Sequence, residues 1–218
     1  MTYSTTTIGA VLDGLNRTCF LPAIQRPFVW KQDQVLALFD SLLKRYPISA
    51  FMFWALDDDT KHQVRIYRFI ENFHAGQLMN EPAQVAGREV VLVLDGQQRM
   101  TSLLIGLRGT FSVKEKFARK ENPGAWNKLT LFLDLLKDPV VQPDEDEELE
   151  VGITYGFKFA ASQPRNDHHQ HWIKVGAMLD HETPEKLELL VAKFTGEMHA
   201  RATAFDHEIA ASNLRRLH

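Results

Sequence analysis

The feature that most constrains this chain is an apolar run, Glu89-Val90-Val91-Leu92-Val93-Leu94, that passes directly into Asp95-Gly96-Gln97-Gln98-Arg99. The run is rich in valine and too short for a buried helix, so it reads as a central strand. Beyond the glycine, Met100, Leu103, Leu104 and Leu107 recur at the spacing of one helix face. A central strand joined to a helix by two residues demands further strands beside it and further helices above it. That requirement excludes an all-α or all-β chain.

The flanking sequence supplies those partners. Ile8, Val11, Leu12 and Leu15 predict a short first helix. Leu21 to Trp30 is bracketed by Pro22 and Pro27, so it should be extended. Val35, Leu36, Leu38, Phe39, Leu42 and Leu43 mark a helix over Asp33 to Arg45, with Pro47 as its stop. Phe51 to Leu56 reads as a buried strand, Asp57 to Asp59 as a turn and Val64 to Ile70 as a second strand. Leu129 to Leu133 and the alternating Ile153, Tyr155, Phe157 and Phe159 predict two more strands. Pro143 to Glu150 reads as a solvated acidic loop, and Glu185 to Leu217 as helix throughout.

Composition narrows the function classes. Lys and Arg number 25 against 28 Asp and Glu, a net charge of -3. A stand-alone duplex binder needs a basic excess to neutralise phosphates, and this chain has none overall. The longest uninterrupted apolar stretch, Ala50 to Leu56, falls far below the roughly 20 residues of a membrane helix. The N-terminal Met1 to Thr7 lacks the basic and apolar regions of a signal peptide, and lone Cys19 cannot form an internal disulfide. A cytoplasmic location is therefore expected, with Cys19 as a small core residue.

The Asp95–Arg99 turn carries the most chemistry. The first turn of a helix presents unpaired N–H groups and a positive dipole end, which suit a phosphate. Gly96 lets the backbone approach an anion, and Arg99 offers a forked donor. Asp95, at the carboxyl end of a strand, can hold Mg²⁺ or position a water, and Gln97 and Gln98 can orient a water or donate to phosphate oxygens. The same residues also fit a capping box, with Asp95 as N-cap, Gln98 three residues later and Arg99 in solvent. A second segment, Gln25-Arg26-Pro27-Phe28-Val29-Trp30, combines planar polar groups with rings. Its rings can stack on a base or on arginine, or serve only as core anchors. His168-His169-x-His171 lacks partnered acids or cysteines at ligand spacing and reads as a solvated loop or helix start.

Together these two segments resemble the GmrSD-type restriction endonuclease N-terminal domain family. Its signatures are a Gln-Arg-x-aromatic-x-Trp segment and a downstream Asp-Gly-Gln-Gln-Arg, here Gln25 to Trp30 and Asp95 to Leu103. The Tyr46 to Trp54 and Tyr155 to Phe159 stretches also look like the family, so the resemblance runs from about Thr5 to Leu179. It implies an α+β fold similar to ParB and sulfiredoxin: a small mixed β-sheet flanked by helices. Residues 1–180 would form this domain, and 181–218 a helical C-terminal extension cut from a longer protein. In those relatives a Gly-x-x-Arg at a helix start binds nucleotide phosphates, and Gly96 and Arg99 fall on that pattern. The catalytic cysteine of sulfiredoxin is replaced by Gln97, so its reductase chemistry is not expected.

The resemblance implies binding and hydrolysis of a nucleoside triphosphate, often GTP, in bacterial defence proteins that restrict modified DNA. On that reading Asp95 and Gln98 are catalytic, with Asp95 the Mg²⁺ ligand. Gln25, Arg26, Gly96, Gln97, Arg99 and Thr101 hold the nucleotide. No HNH nuclease pattern is recognisable, so nuclease activity is expected in a C-terminal domain or partner subunit. Two alternatives stand beside this: a non-catalytic sensor of modified DNA, and an interaction scaffold in which the motifs are structural.

Overall fold

The structure, a computed structural model, describes residues 4–24, 26–74, 80–85, 89–115, 125–139, 152–181, 183–198 and 203–218. Helix α1 (Ile8–Gly14) leads into β1 (Cys19–Pro22), followed by α2 (Gln32–Leu43) and β2 (Met52–Leu56). A single-turn α3 (Asp58–Lys61) precedes the short strands β3 (Ile66–Tyr67) and β4 (Asn72–His74). Strand β5 (Val90–Asp95) runs into α4 (Gln97–Leu107), and β6 (Thr110–Lys114), β7 (Trp126–Asp134), β8 (Gly156–Ala160) and β9 (Trp172–Lys174) follow. A 3-10 helix (Val175–Asp180) leads to α5 (Pro184–Met198) and α6 (Ala204–Leu217).

The class is α+β, as expected, but the strands divide between two sheets. One has the order β2-β5-β1-β3, with β5 central, parallel to β1 and antiparallel to β2. The other has the order β4-β6-β7-β8. The long β7 pairs with β6 near its start, with β9 near its end and with β8 on its other edge. Helices α2 and α4 bury their apolar faces in the shared core through Val35, Phe39, Leu43, Leu103, Leu104 and Ile105. Gly106 is what allows the two helices to approach, because a Cβ there would lie 2.5 Å from the Phe39 ring.

Several expectations need correction. Helix α2 is stopped by its own backbone, not by Pro47. Arg45 takes a left-handed φ of 57°, Arg45 N–H donates to Leu42 O and Tyr46 N–H to Ser41 O, which is a Schellman closure. Strand β2 forms but is not buried: it is the outer strand of its sheet, with Met52, Phe53 and Trp54 exposed. The second strand, expected over Val64 to Ile70, shrinks to Ile66–Tyr67. The C-terminal helix is two helices. Thr203 is extended and caps α6 through a reciprocal Thr203–Asp206 box, which a continuous helix would forbid. The acidic run Pro143 to Glu150 lies outside the described residues.

Helices α5 and α6 pack into the same apolar core as α2 and α4, through Leu187, Leu190, Val191, Ala210 and Leu214. Asn213 seals the junction by donating to the carbonyls of Leu135 and Lys137 at 3.0 and 3.1 Å. Among the described residues no helix is long and apolar enough to cross a membrane.

Candidate functional site

Strand β5 delivers Asp95 to the edge of the core, and Gly96 turns the chain into α4. Gly96 is the helix N-cap, with φ 85° in the left-handed region. A Cβ at this position would also lie 2.4 Å from the Phe51 ring, so two independent constraints select glycine. Gly96 has no side chain to cap the helix. The capping box that Asp95 and Gln98 could have formed is thus not the one adopted, and among the described residues the first N–H groups of α4 have no side-chain acceptor.

The side chains around this turn divide into tied and free groups. Gln97 folds back, its amide donating to Val93 O at 2.9 Å. Gln98 bridges the two sequence signatures: its Oε1 accepts from Val29 N–H and its Nε2 donates to Pro27 O, both at 3.0 Å. Thr101 is buried and donates to Gln97 O at 2.8 Å, so it stiffens the first turn and does not line the cleft. Arg99 donates to Ile48 O, lies over the Phe51 ring with its guanidinium carbon 4.8 Å from the centroid, and meets Asp95 Oδ2 at 3.2 Å. Its side chain is 16% exposed, whereas that of Asp95 is 67% exposed.

A cleft of about 560 Å³ opens here, between Ala23, Ile24, Arg26 and Trp30 on one wall and Leu94 to Arg99 on the other. Arg26 is exposed and, among the described residues, makes no ion pair or hydrogen bond, so it is a cation available to the cleft. Gln25 lies outside the described residues. Phe28 is a core anchor, buried edge-on against Phe73 with ring centroids 4.8 Å apart, while Trp30 is half-buried and lines the cleft. Sequence reasoning missed the supporting roles of Ile48 and Phe51, because both act through Arg99 and nothing in their spacing points to it.

Asp95 is the single carboxylate lining the cleft, and among the described residues no group of three or more His, Cys, Asp or Glu could hold a metal. That donor set fits Mg²⁺ only in the manner common at nucleotide sites, with one carboxylate and the remaining ligands from phosphates and water. The histidine segment divides too. His168 and His169 are exposed on a loop organised by Asp167, which accepts from the His169 and Gln170 N–H groups. His171 is buried, contrary to the solvated-loop expectation for the whole segment. Cys19 is half-buried against the core, and burial raises its thiol pKa.

The molecule is therefore an α+β domain whose cleft sits at a strand-to-helix turn and joins two distant sequence signatures. Residues 8–206 match the family model of the GmrSD restriction endonuclease N-terminal domain, and the chain belongs to that family. The match continues past residue 179, where the motif resemblance ended, into both C-terminal helices. An uncharacterized protein of Methanocaldococcus jannaschii is 33% identical over 130 residues, covering 59% of this chain and 20% of that protein. The matched part is thus about a fifth of the relative's length.

Proposed function

We propose that the Asp95–Arg99 turn binds a nucleoside triphosphate with Mg²⁺ and hydrolyses it. GTP is the first candidate, from the family resemblance. The domain would regulate a modification-dependent restriction protein whose nuclease lies in a C-terminal domain or partner subunit. The observation that carries this reading is the cleft: an uncapped helix N-terminus, an exposed carboxylate and an available arginine converge on one space.

The first N–H groups of α4 take phosphate oxygens, and Gly96 allows the approach. Arg26 supplies charge from the opposite wall. Asp95 holds Mg²⁺ together with the phosphates, or accepts a proton from the attacking water. Bound Mg²⁺ would neutralise charge developing on the phosphates. Gln98 and Arg99 act as positioning residues: Gln98 fixes the Pro27–Val29 loop that presents Arg26, and Arg99 orients Asp95.

The test is calorimetric titration of GTP, ATP and CTP with Mg²⁺, alongside phosphate release, on wild type, Arg26→Ala and Asp95→Asn. Arg26→Ala should weaken binding at least tenfold, and Asp95→Asn should lower release about a hundredfold or more while largely sparing affinity. Binding and turnover unchanged in both variants would refute the assignment. A second reading has its own observation: Ile24 and Leu94 form an exposed apolar rim beside Arg26, as a surface reading modified DNA would need. Salt-dependent DNA binding, lost in Arg26→Ala and accompanied by no nucleotide binding, would favour that sensor.

A further inference from the structure

A second concave site shares no residue with the Asp95 cleft. It is a pocket of about 610 Å³ between the end of α2 and the length of α6, lined by Arg45, His207, Glu208, Ser212, Arg215 and Arg216. A volume of this order suits a small molecule. The α6 wall, from His207 onwards, lies outside the residues 8–206 that match the family. Three arginines on one pocket stand out in a chain of net charge -3. Arg45 is exposed, and among the described residues its side chain makes no ion pair or hydrogen bond. It occupies the left-handed position that closes α2, which glycine would fill at less backbone cost. Arg216 donates to Leu43 O at 3.2 Å, so its guanidinium is held at the turn that carries Arg45. It has no acidic partner among the described residues, whereas Arg215 is held by Glu188 through two bonds of 2.9 Å. The helix dipole favours basic residues in the last turn of α6, but it does not account for their convergence with Arg45 from another helix.

We propose that this pocket binds a small phosphate ester that carries hydroxyl groups. Arg45 and Arg216 bring two guanidinium charges without acidic partners to one end, which match a phosphate dianion better than a singly charged carboxylate. Glu208, Ser212 and Arg215 follow one another at helical spacing along α6, so Glu208 marks the opposite end, about two turns away. Glu208 is exposed and makes no ion pair among the described residues. Its carboxylate only accepts hydrogen bonds, so it repels phosphate from its own end and receives hydroxyls there. An ammonium group would be repelled by the three arginines. A nucleic-acid strand fits less well, because its backbone needs a continuous basic track, and Glu188 and Glu208 interrupt this one. The site is independent of nucleotide binding at Asp95.

The test is calorimetric titration of ribose 5-phosphate, inorganic phosphate and a short single-stranded oligonucleotide into the 218-residue chain. The variants are Arg45→Ala, Arg45→Gly, Glu208→Gln and Arg65→Ala. Arg65 is exposed beside β3, in the sheet away from this pocket, and serves as the control for charge alone. Wild type should bind ribose 5-phosphate about tenfold or more tightly than inorganic phosphate. Arg45→Ala should weaken the sugar phosphate by about tenfold or more, and Arg65→Ala should leave it unchanged. Arg45→Gly suits the left-handed backbone, so the same loss in that variant separates lost binding from a disturbed turn. Glu208→Gln should shrink the preference over inorganic phosphate by about threefold or more. A wild type that does not bind ribose 5-phosphate at millimolar concentration overturns the proposal, as does an equal loss in Arg65→Ala. So does a preference that persists in Glu208→Gln, or an oligonucleotide bound in place of the sugar phosphate and lost in Arg45→Gly.

Discussion

Asp95 and Asp134 hold the same position in two different sheets: each is the last residue of its strand, β5 and β7. Their surroundings are opposite. Asp134 is 4% exposed, and its Oδ1 accepts from Leu136 N–H at 3.0 Å and His171 N–H at 2.9 Å. Asp95 stands mostly in solvent with Arg99 as its partner. The residue that follows makes the difference. After Asp134 the carboxylate is consumed in tying Leu136 to His171, the residue before β9, through the two N–H groups it accepts. After Asp95, Gly96 swings the chain into a helix whose end stays uncapped, and the carboxylate is left facing a cleft. A strand-terminal aspartate is therefore structural or available according to whether its own backbone has captured it.

The sharpest way to break this contrast is to remove the captured carboxylate. Asp134→Ala strands the buried N–H of His171 and the partly buried N–H of Leu136, at about 1 to 3 kcal/mol each. We expect a loss of about 3 kcal/mol in denaturant unfolding, with nucleotide affinity in the surviving folded fraction unchanged. A loss below about 1 kcal/mol would mean that solvent reaches these donors and that Asp134 is not captured.

Next in size is Gly96→Ala, which should cost about 2 kcal/mol from the left-handed backbone and the contact with Phe51. It should also abolish nucleotide binding, because the added methyl disturbs the turn itself. Adding Phe51→Ala removes the steric contact but not the backbone strain. The double variant should recover part of the stability, as thermal melts would show. Full recovery would mean that the contact, not φ, selects glycine.

Gln98→Leu tests whether the two walls are one unit. Losing both bonds to the Pro27–Val29 loop should cost about 1 to 2 kcal/mol. Nucleotide affinity should fall in the same proportion as in Arg26→Ala, and adding Arg26→Ala to Gln98→Leu should cost little more. Additive losses would separate the loop from the binding site.

These particulars also show what the sequence could disclose. The Val90 to Leu94 run, the α4 periodicity and both signatures predicted the central strand, the helix and their meeting at a cleft. The division of labour within the signatures was illegible, because it depends on which partner each side chain finds. Nothing in the spacing of Gln98 announces its two bonds to Pro27 and Val29. Nothing in that of Arg99 announces that Ile48 and Phe51 surround it. β2 looked buried because all five of its residues are apolar, and edge position is a property of topology, not of composition. The break before α6 was written locally, in Thr203 and Asp206, and was masked by the helical spacing on either side.

A smaller effect should appear with pH around Asp134. Burial lowers the His171 pKa below its ordinary 6.5, although the carboxylates of Glu197 and Asp134 work against it. The unfolded chain then binds the proton more readily. Stability from this group is complete above about pH 6.5 and is lost as pH falls through that value. Asp134 acts in the reverse sense, since burial raises its pKa above 3.8 and acidification through that raised value favours the folded state. Melting temperature followed from pH 8 to about 5 should decline in wild type and flatten in His171→Phe. An unchanged slope would mean that His171 is solvated like its neighbours His168 and His169.

The smallest stability effect belongs to the available carboxylate. Asp95→Asn keeps the shape of the side chain and gives up only an exposed ion pair with Arg99, an interaction worth about 0 to 1 kcal/mol in such settings. Unfolding should therefore barely shift. Phosphate release should nonetheless fall by about a hundredfold or more, because an amide neither holds Mg²⁺ as a carboxylate does nor accepts a proton from water. Large functional and negligible structural cost at position 95, set against the reverse at position 134, is the pattern that the two environments require. Should Asp95→Asn instead unfold the domain while sparing turnover, Asp95 would belong with Asp134 as a structural residue, and the cleft would lose its one candidate for catalysis.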